Sequence, residues 1–334
     1  MPAESSDCPS SRPRTPLAQD AGDVLMIRPA AFGWNPETAG SNRFQRQESL
    51  EPGLASRRAT QEFDACAQAL LEAGVGVHVF EDRPEPRCPD AVFPNNWVSL
   101  HHDGTVVLYP MLAASRRRER RMDLLAALEH RGGFQVSRLV DLSYHELGGR
   151  FLEGTGSVVF DHANRIAYAC LSPRTDAAVL GELCEELGYA PEPFTATDTA
   201  GTPVYHTNVL LALGQRLAIV CAEAIGSGDR DRVLAALGHN GRRIIAISRE
   251  QMSRFAGNAL ELRGARGRVV LAMSERAYAS LGEEARNTIG GCVDEVVRVG
   301  VPTIEDIGGG SVRCMLAEVH LPRRTGATTE EARE

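Results

Sequence analysis

The stretch Pro94–Tyr109 reads PNNWVSLHHDGTVVLY. A polar loop leads into an apolar run, an Asp-Gly turn and a second apolar run, which is the pattern of a β-hairpin. The same order returns at EGTGSVVF from Glu153, YHTNVLLAL from Tyr205, GNALEL from Gly257 and GGGSVRCML from Gly308. With Asn96, Glu153, His206, Asn258 and Cys314 as markers, the steps are 57, 53, 52 and 56 residues. Between hairpins lie an amphipathic helical pattern and a further strand, so each unit reads ββαβ. A repeat of this length cannot bury its apolar face alone and stacks on its neighbours. Units set around an axis would bring the marker positions together, so a carboxylate, an imidazole and a thiol would share one pocket.

Working outward, Asp23–Arg28 is a short apolar strand. Arg58–Glu72 sets Phe63, Cys66, Ala67, Leu70 and Leu71 at helical spacing, Gly74 stops that helix, and Val75–Phe80 is a strand. Ser115–Glu129 reads as a helix opening on SRRRERR, a charged run taken as a solvated face. The later helices are expected at Thr175–Leu187, Arg230–Gly238 and Glu275–Thr288. The last unit, Val312–Val319, lacks part of its complement, and Asp23–Arg28 can supply it. Joining the two ends in this way closes a ring and leaves fewer free strand edges. The expected organisation is a disordered tail at 1–22, one closed α/β domain at 23–322 and a polar tail at 323–334.

The chain has 334 residues, 43% hydrophobic and 24% charged, enough for a large core. Its net charge of −8 argues against a polyanionic partner such as nucleic acid. All 36 basic residues are arginine, which excludes a Schiff-base lysine and a P-loop lysine. Eight cysteines are dispersed without a CxxC pair, unlike a zinc site or a disulfide scaffold. The opening MPAESSDCPSSRPRTPLAQD has no apolar core of a signal peptide, and no run approaches membrane-spanning length. A cytoplasmic setting without membrane partners is expected.

Cys314 follows three glycines at the head of a strand, at the repeat-equivalent place. A lone cysteine is usually a small buried hydrophobe, and the other seven keep that reading. His206 is the imidazole that could activate a thiol; on its own it reads as a hydrogen-bonded strand residue. Glu153, between Leu152 and Gly154, reads as a capped turn residue or as a general base. Asp90, Asn95 and Asn96 lie in PDAVFPNN, a turn signal by itself. Arg174, in LSPRTD, is a surface charge or a fork for a carboxylate. Asn258 is expected to be structural.

Together these motifs resemble the guanidine-modifying superfamily of arginine deiminases, dimethylarginine dimethylaminohydrolases and amidinotransferases, over about Asp23 to Pro322. The resemblance implies a five-bladed α/β propeller, the pentein fold. It implies Cys314 as nucleophile, His206 as general acid/base and Glu153 as the acidic partner. Substrate ligands are implied at Asp90, Asn95, Asn96 and Asn208, and Arg174 would hold the substrate α-carboxylate. Met26–Gln45, the PNNW loop and HTNV are similar to the citrulline-utilization hydrolases within that superfamily.

Arginine deiminases carry aspartate where this chain has Asn96 and Asn208, and dimethylarginine hydrolases carry acidic residues at both Asn95 and Asn96. Amides offer a donor and an acceptor but no charge, and a buried guanidinium without a counter-charge is strongly disfavoured. The resemblance therefore implies a small-molecule amino-acid substrate with a neutral ureido group, most simply citrulline, hydrolysed to ornithine, carbon dioxide and ammonia through a covalent intermediate on Cys314. No cofactor or metal is implied, and a homodimer is compatible. Other readings are an amidinotransferase, an arginine deiminase or dimethylarginine hydrolase, and a non-catalytic ribosome-binding propeller.

Overall fold

The computed structural model describes residues 17–47, 51 and 53–324. Strand β1 (Asp23–Arg28) has its four inner residues buried. The helix Leu54–Glu72 follows and buries Ala59, Phe63, Cys66, Ala67 and Leu70 along one face. Fully burying a side chain of Phe or Leu size stabilises by about 1.5–3 kcal/mol, so this stripe fixes the helix on the sheet. Gly74 ends the turn with φ +81°, and a Cβ there would lie 2.5 Å from Ala265, so only glycine fits. Strand β2 (Gly76–Glu81) then pairs parallel with β1, as a helical crossover requires.

The Pro94 stretch forms the expected hairpin. Strand β3 (Val98–Leu100) pairs antiparallel with β4 (Thr105–Leu108), and β5 (Arg138–Asp141) returns parallel to β4 after the helix Met122–Gly132. The same pattern recurs in β6 (Val158–Asp161), β7 (Ile166–Cys170) and β8 (Ala190–Phe194), with the helix Ala177–Leu187 as crossover. It recurs in β9 (Leu211–Leu213), β10 (Leu217–Val220) and β11 (Arg243–Ala246), with the helix Ser227–Leu237. It recurs again in β12 (Leu260–Arg263), β13 (Val269–Ser274) and β14 (Glu295–Val299), where two shorter helices, Glu275–Ser280 and Glu283–Gly290, replace one.

The fifth unit is assembled from both ends of the domain. Strand β15 (Ala317–Val319) pairs antiparallel with β1, which is parallel to β2. A single pair, Val319 with Leu100, joins β15 to β3, giving one six-stranded sheet in the order β2-β1-β15-β3-β4-β5. The other three units are separate three-stranded sheets, so the strands do not close into a barrel. The fold is a mixed α/β architecture, and β9 lies against both β6 and β12.

Besides the division of the expected helix Glu275–Thr288 into two, three larger departures from expectation occur. Residues 17–22 fall in the expected tail, yet they pack against the domain. The Gln19 amide donates to Phe160 O at 2.9 Å and accepts from His162 N, and Ala21 bridges Leu262. Arg323, placed in the other tail, donates to Asp23 at 2.7 Å and lies over the Phe134 ring. Residues 1–16 and 325–334 lie outside the described residues. The helix expected at Ser115–Glu129 is broken: Ala114–Glu119 is a 3₁₀ stretch, Arg120 and Arg121 are extended, and the α-helix starts at Met122. Among the described residues no helix is long and apolar enough to cross a membrane.

Candidate active site

Four of the five polar motifs are tight turns placed just before an inner strand, and two of them, Thr207–Leu210 and Val312–Met315, fall where the sequence reads as strand. Pro94–Asn96 and Val312–Met315 are 3₁₀ turns, and Gly154–Ser157 and Thr207–Leu210 are single α-turns. Each turn is tied to the next. Thr155 Oγ1 donates to Asn95 O at 3.4 Å, Thr207 Oγ1 to Ser157 O at 2.5 Å, and Asn258 Nδ2 to Asn208 O at 2.9 Å. These links bring the marker residues to one pocket lined by Asp90, Asn96, Arg174, His206 and Cys314 among others.

Glu153 is fully buried behind that pocket and joins its cations. Its Oε2 lies 2.9 Å from His206 Nε2 and 3.2 Å from Arg174 Nη1, and its Oε1 accepts from Leu112 N at 3.1 Å. Burial alone would raise this carboxyl, but Arg174, His206 and Arg116 hold it well below the usual carboxylate range. Burial pushes His206 down to about 4 against the pull of Glu153, so its imidazole is neutral at pH 7. With Nε2 on Glu153, Nδ1 is the remaining ring nitrogen. Gly156 allows this closeness: a Cβ there would lie 2.4 Å from Asn96 Nδ2 and 2.7 Å from His206 Nδ1.

Cys314 is buried, with Asn258 Nδ2 at 3.2 Å and Asn208 Nδ2 at 3.5 Å from its sulfur. Burial raises its thiol, and contacts from Ser311, Asn258 and Asn208 oppose the rise. Asn258, expected to be structural, reaches the sulfur and the backbone of the neighbouring motif with one amide. The equivalent repeat position was its only signal in the sequence. The other described cysteines are free and buried, as expected; Cys8 lies outside the described residues.

Arg174 is 2% exposed rather than a surface charge. Its guanidinium donates to Glu153, Ser41 Oγ and Thr38 O, and it lies over the Tyr205 ring. The segment Asn35–Gln45 therefore roofs the pocket, and Thr38, Asn42 and Gln45 line it. Asn95 is buried, but it is absent from the pocket lining and its side chain has no hydrogen-bond partner.

The main departure is Arg116. The charged run SRRRERR is not a uniformly solvated face, because Arg116 is 3% exposed and lines the pocket. Its Nη1 donates to Asn96 Oδ1 at 2.8 Å, and its Nε and Nη2 donate to Glu119 at 3.0 and 2.9 Å. Asp90 Oδ2 is 3.8 Å and Glu153 Oε2 4.0 Å from the same guanidinium. Burial pushes Glu119 up to about 7 despite Arg116, and burial likewise raises Asp90. Asp90 Oδ2 accepts from Asn35 at 2.7 Å, while Asp90 Oδ1 and Asn96 Nδ2 have no partner.

The sequence profile of the family described as eukaryotic N,N dimethylarginine dimethylhydrolase matches residues 28–321. The chain belongs to that family. It is thereby a member of the guanidine-modifying superfamily, in a family of hydrolases acting on carbon–nitrogen bonds other than peptide bonds. No curated protein matches it in sequence. Solved structures share its fold at low identity. The arginine dihydrolase ArgZ from the ornithine-ammonia cycle in cyanobacteria superposes with a TM-score of 0.68 at 17% identity, covering 91% of this chain and 41% of that chain. The chain thus spans about two fifths of the full ArgZ protein. The N-terminal domain of ArgZ, solved with substrate bound, gives 0.65 at 17% identity over 90% of this chain and 99% of that one. A dimethylarginine dimethylaminohydrolase, solved as an adduct with S-methyl-L-thiocitrulline, gives 0.59 at 16% identity over 89% and 99%.

Proposed function

We propose that the chain is a cysteine-dependent hydrolase whose preferred reacting group is a neutral urea, with citrulline the simplest substrate. One observation carries the substrate reading. Arginine can only donate, so Arg116 fixes the Asn96 amide with its oxygen toward the guanidinium. The Asn96 NH2, a donor, and Asp90 Oδ1, an acceptor, are both left without a protein partner, and both residues line the pocket. A ureido group offers a carbonyl to the first and an N–H to the second. A guanidinium has no acceptor for Asn96 and would lie against Arg116 and Arg174. The five units are read as blades of an α/β propeller around this pocket.

Cys314 gives up its proton as its sulfur attacks the ureido carbon. His206 Nδ1 relays that proton to the substrate's chain nitrogen, and the carbon–nitrogen bond breaks to release ornithine. The S-carbamoyl group on Cys314 is then attacked by water, with His206 taking a proton and returning it to the sulfur. Carbamate leaves and decays to ammonia and carbon dioxide. Glu153 fixes the imidazole through Nε2 and stabilises its cation during each transfer. Arg174 is a partner of Glu153 and keeps one Nη1 N–H for a substrate carboxylate.

A second reading is hydrolysis of arginine or methylated arginines, favoured by the matching family and by the activities of ArgZ and the dimethylarginine enzyme. The deciding experiment is mass spectrometry of products from citrulline, arginine and dimethylarginine, with a Cys314→Ala control. Ornithine from citrulline, absent with the control, supports the proposal. Turnover of arginine or dimethylarginine alone overturns the neutral-urea reading, and product formation only with an added amine points to a transferase.

A further inference from the structure

The inner strands that start at the candidate active site end at a second group of titratable side chains. β3 runs into His101 and His102, β6 into His162, and β15 into His320. Ligand atoms of His162, Glu318 and His320 all lie within 4.8 Å of one another. His320 Nε2 stands 3.6 Å from Glu318 Oε1, beyond a good hydrogen bond. That nitrogen has no hydrogen-bond partner, although the side chain is only 4% exposed. Neighbours occupy one valence each of His162 and Glu318. Tyr189 OH holds His162 Nδ1 at 2.7 Å, leaving Nε2, and Arg313 Nη2 holds Glu318 Oε2 at 2.7 Å, leaving Oε1.

We propose that His162, Glu318 and His320 form a binding site for a divalent cation of the zinc class. Two imidazoles and a carboxylate are a common donor set for such an ion, with bonds of about 2.0–2.2 Å. Donors on a tetrahedron of that size stand about 3.4 Å apart, close to the observed 3.6 Å. Tyr189 acts as the outer partner that selects which His162 nitrogen faces the ion. A pocket lined by Leu17, His102, Asp103, Arg165 and Tyr189 adjoins the group and offers an entry path. Six residues of chain separate His320 from Cys314, so the site lies up to about 20 Å from the thiol.

The test uses untagged full-length protein equilibrated with Zn²⁺, dialysed free of excess metal and assayed for bound zinc by emission spectrometry. Wild type and Cys314→Ala are expected to retain about one equivalent and His320→Gln to lose it, because a missing ligand breaks the site. Tyr189→Phe keeps all three ligands, so it covers the case in which His320→Gln fails to fold; it is expected to weaken zinc about 10–100-fold. Wild type that retains no zinc overturns the proposal. So does zinc that is lost in Cys314→Ala but kept at wild-type affinity in His320→Gln and Tyr189→Phe.

Discussion

Arg116 and Asn96 are joined by a 2.8 Å hydrogen bond between a permanent cation and an amide oxygen, both buried. The bond orients Asn96, and the cation balances Glu119 and Asp90 in a place with little access to solvent. Arg116→Met leaves two buried acids without their counter-charge and is expected to destabilise by about 3–5 kcal/mol. Arg116→Met with Glu119→Leu should recover most of that loss, since an apolar pair can replace a buried ion pair. Urea unfolding of the single and double variants checks this; a single variant as stable as wild type would contradict the pairing.

Asn96→Asp exchanges the free NH2 donor for a second acceptor. Losing one hydrogen bond to the ureido oxygen is expected to lower kcat/KM for citrulline by about 10–100-fold, the equivalent of 1–3 kcal/mol. Turnover of arginine should rise relative to citrulline. If citrulline turnover stayed intact and arginine turnover stayed undetectable, the role given to Asn96 would be wrong.

Asn258 donates to the Cys314 sulfur at 3.2 Å and thereby favours the thiolate against burial. Asn258→Ala should move the thiol further up. The rate of iodoacetamide inactivation, followed against pH, reads this directly, because only the thiolate reacts. An unchanged profile would remove Asn258 from the nucleophile's surroundings.

Two groups of the site bind protons in opposite senses. His206 titrates near 4 in the fold and near 6.5 when unfolded, so its contribution is complete above about 6.5 and is lost as pH falls toward 4. Glu119 is raised from 4.5 to about 7, so its contribution is complete below about 4.5 and is lost as pH rises through 7. His206→Asn should flatten the acid side of the stability curve, and Glu119→Gln the neutral side. Urea midpoints from pH 4 to pH 8 separate the two; a slope unchanged in either variant would refute that assignment.

Much of this was legible because hydrophobic alternation, turn residues and spacing are local signals. The Asp-Gly hairpin after Leu100, the stripe on Leu54–Glu72 and the five marker positions follow from them. Cys314, His206, Asp90, Asn96 and Arg174 do line one pocket. Arg116 was not legible, because a run of arginines carries no sign of which one turns inward. That choice depends on Glu119 three residues on, and on the two extended residues that break the helix after it. The roof at Thr38–Gln45 was also hidden, since its contacts to Arg174 and Gly308 span more than a hundred residues. Thr207–Leu210 and Val312–Met315 were read as strand because they lead directly into apolar runs, and long-range links between neighbouring motifs override that local preference.

Strand β15 docks between β1 and β3, and the turn that carries Cys314 comes immediately before it. A ribosome delivers the loop of Asp90 and Asn96 early in synthesis and the thiol near the completion of the domain. On the proposed mechanism the nascent chain can thus shape most of its binding surface before its nucleophile is made. The thiol arrives with the same strand that sews the two ends of the domain together, so on that mechanism a chain stopped short of it is born inert.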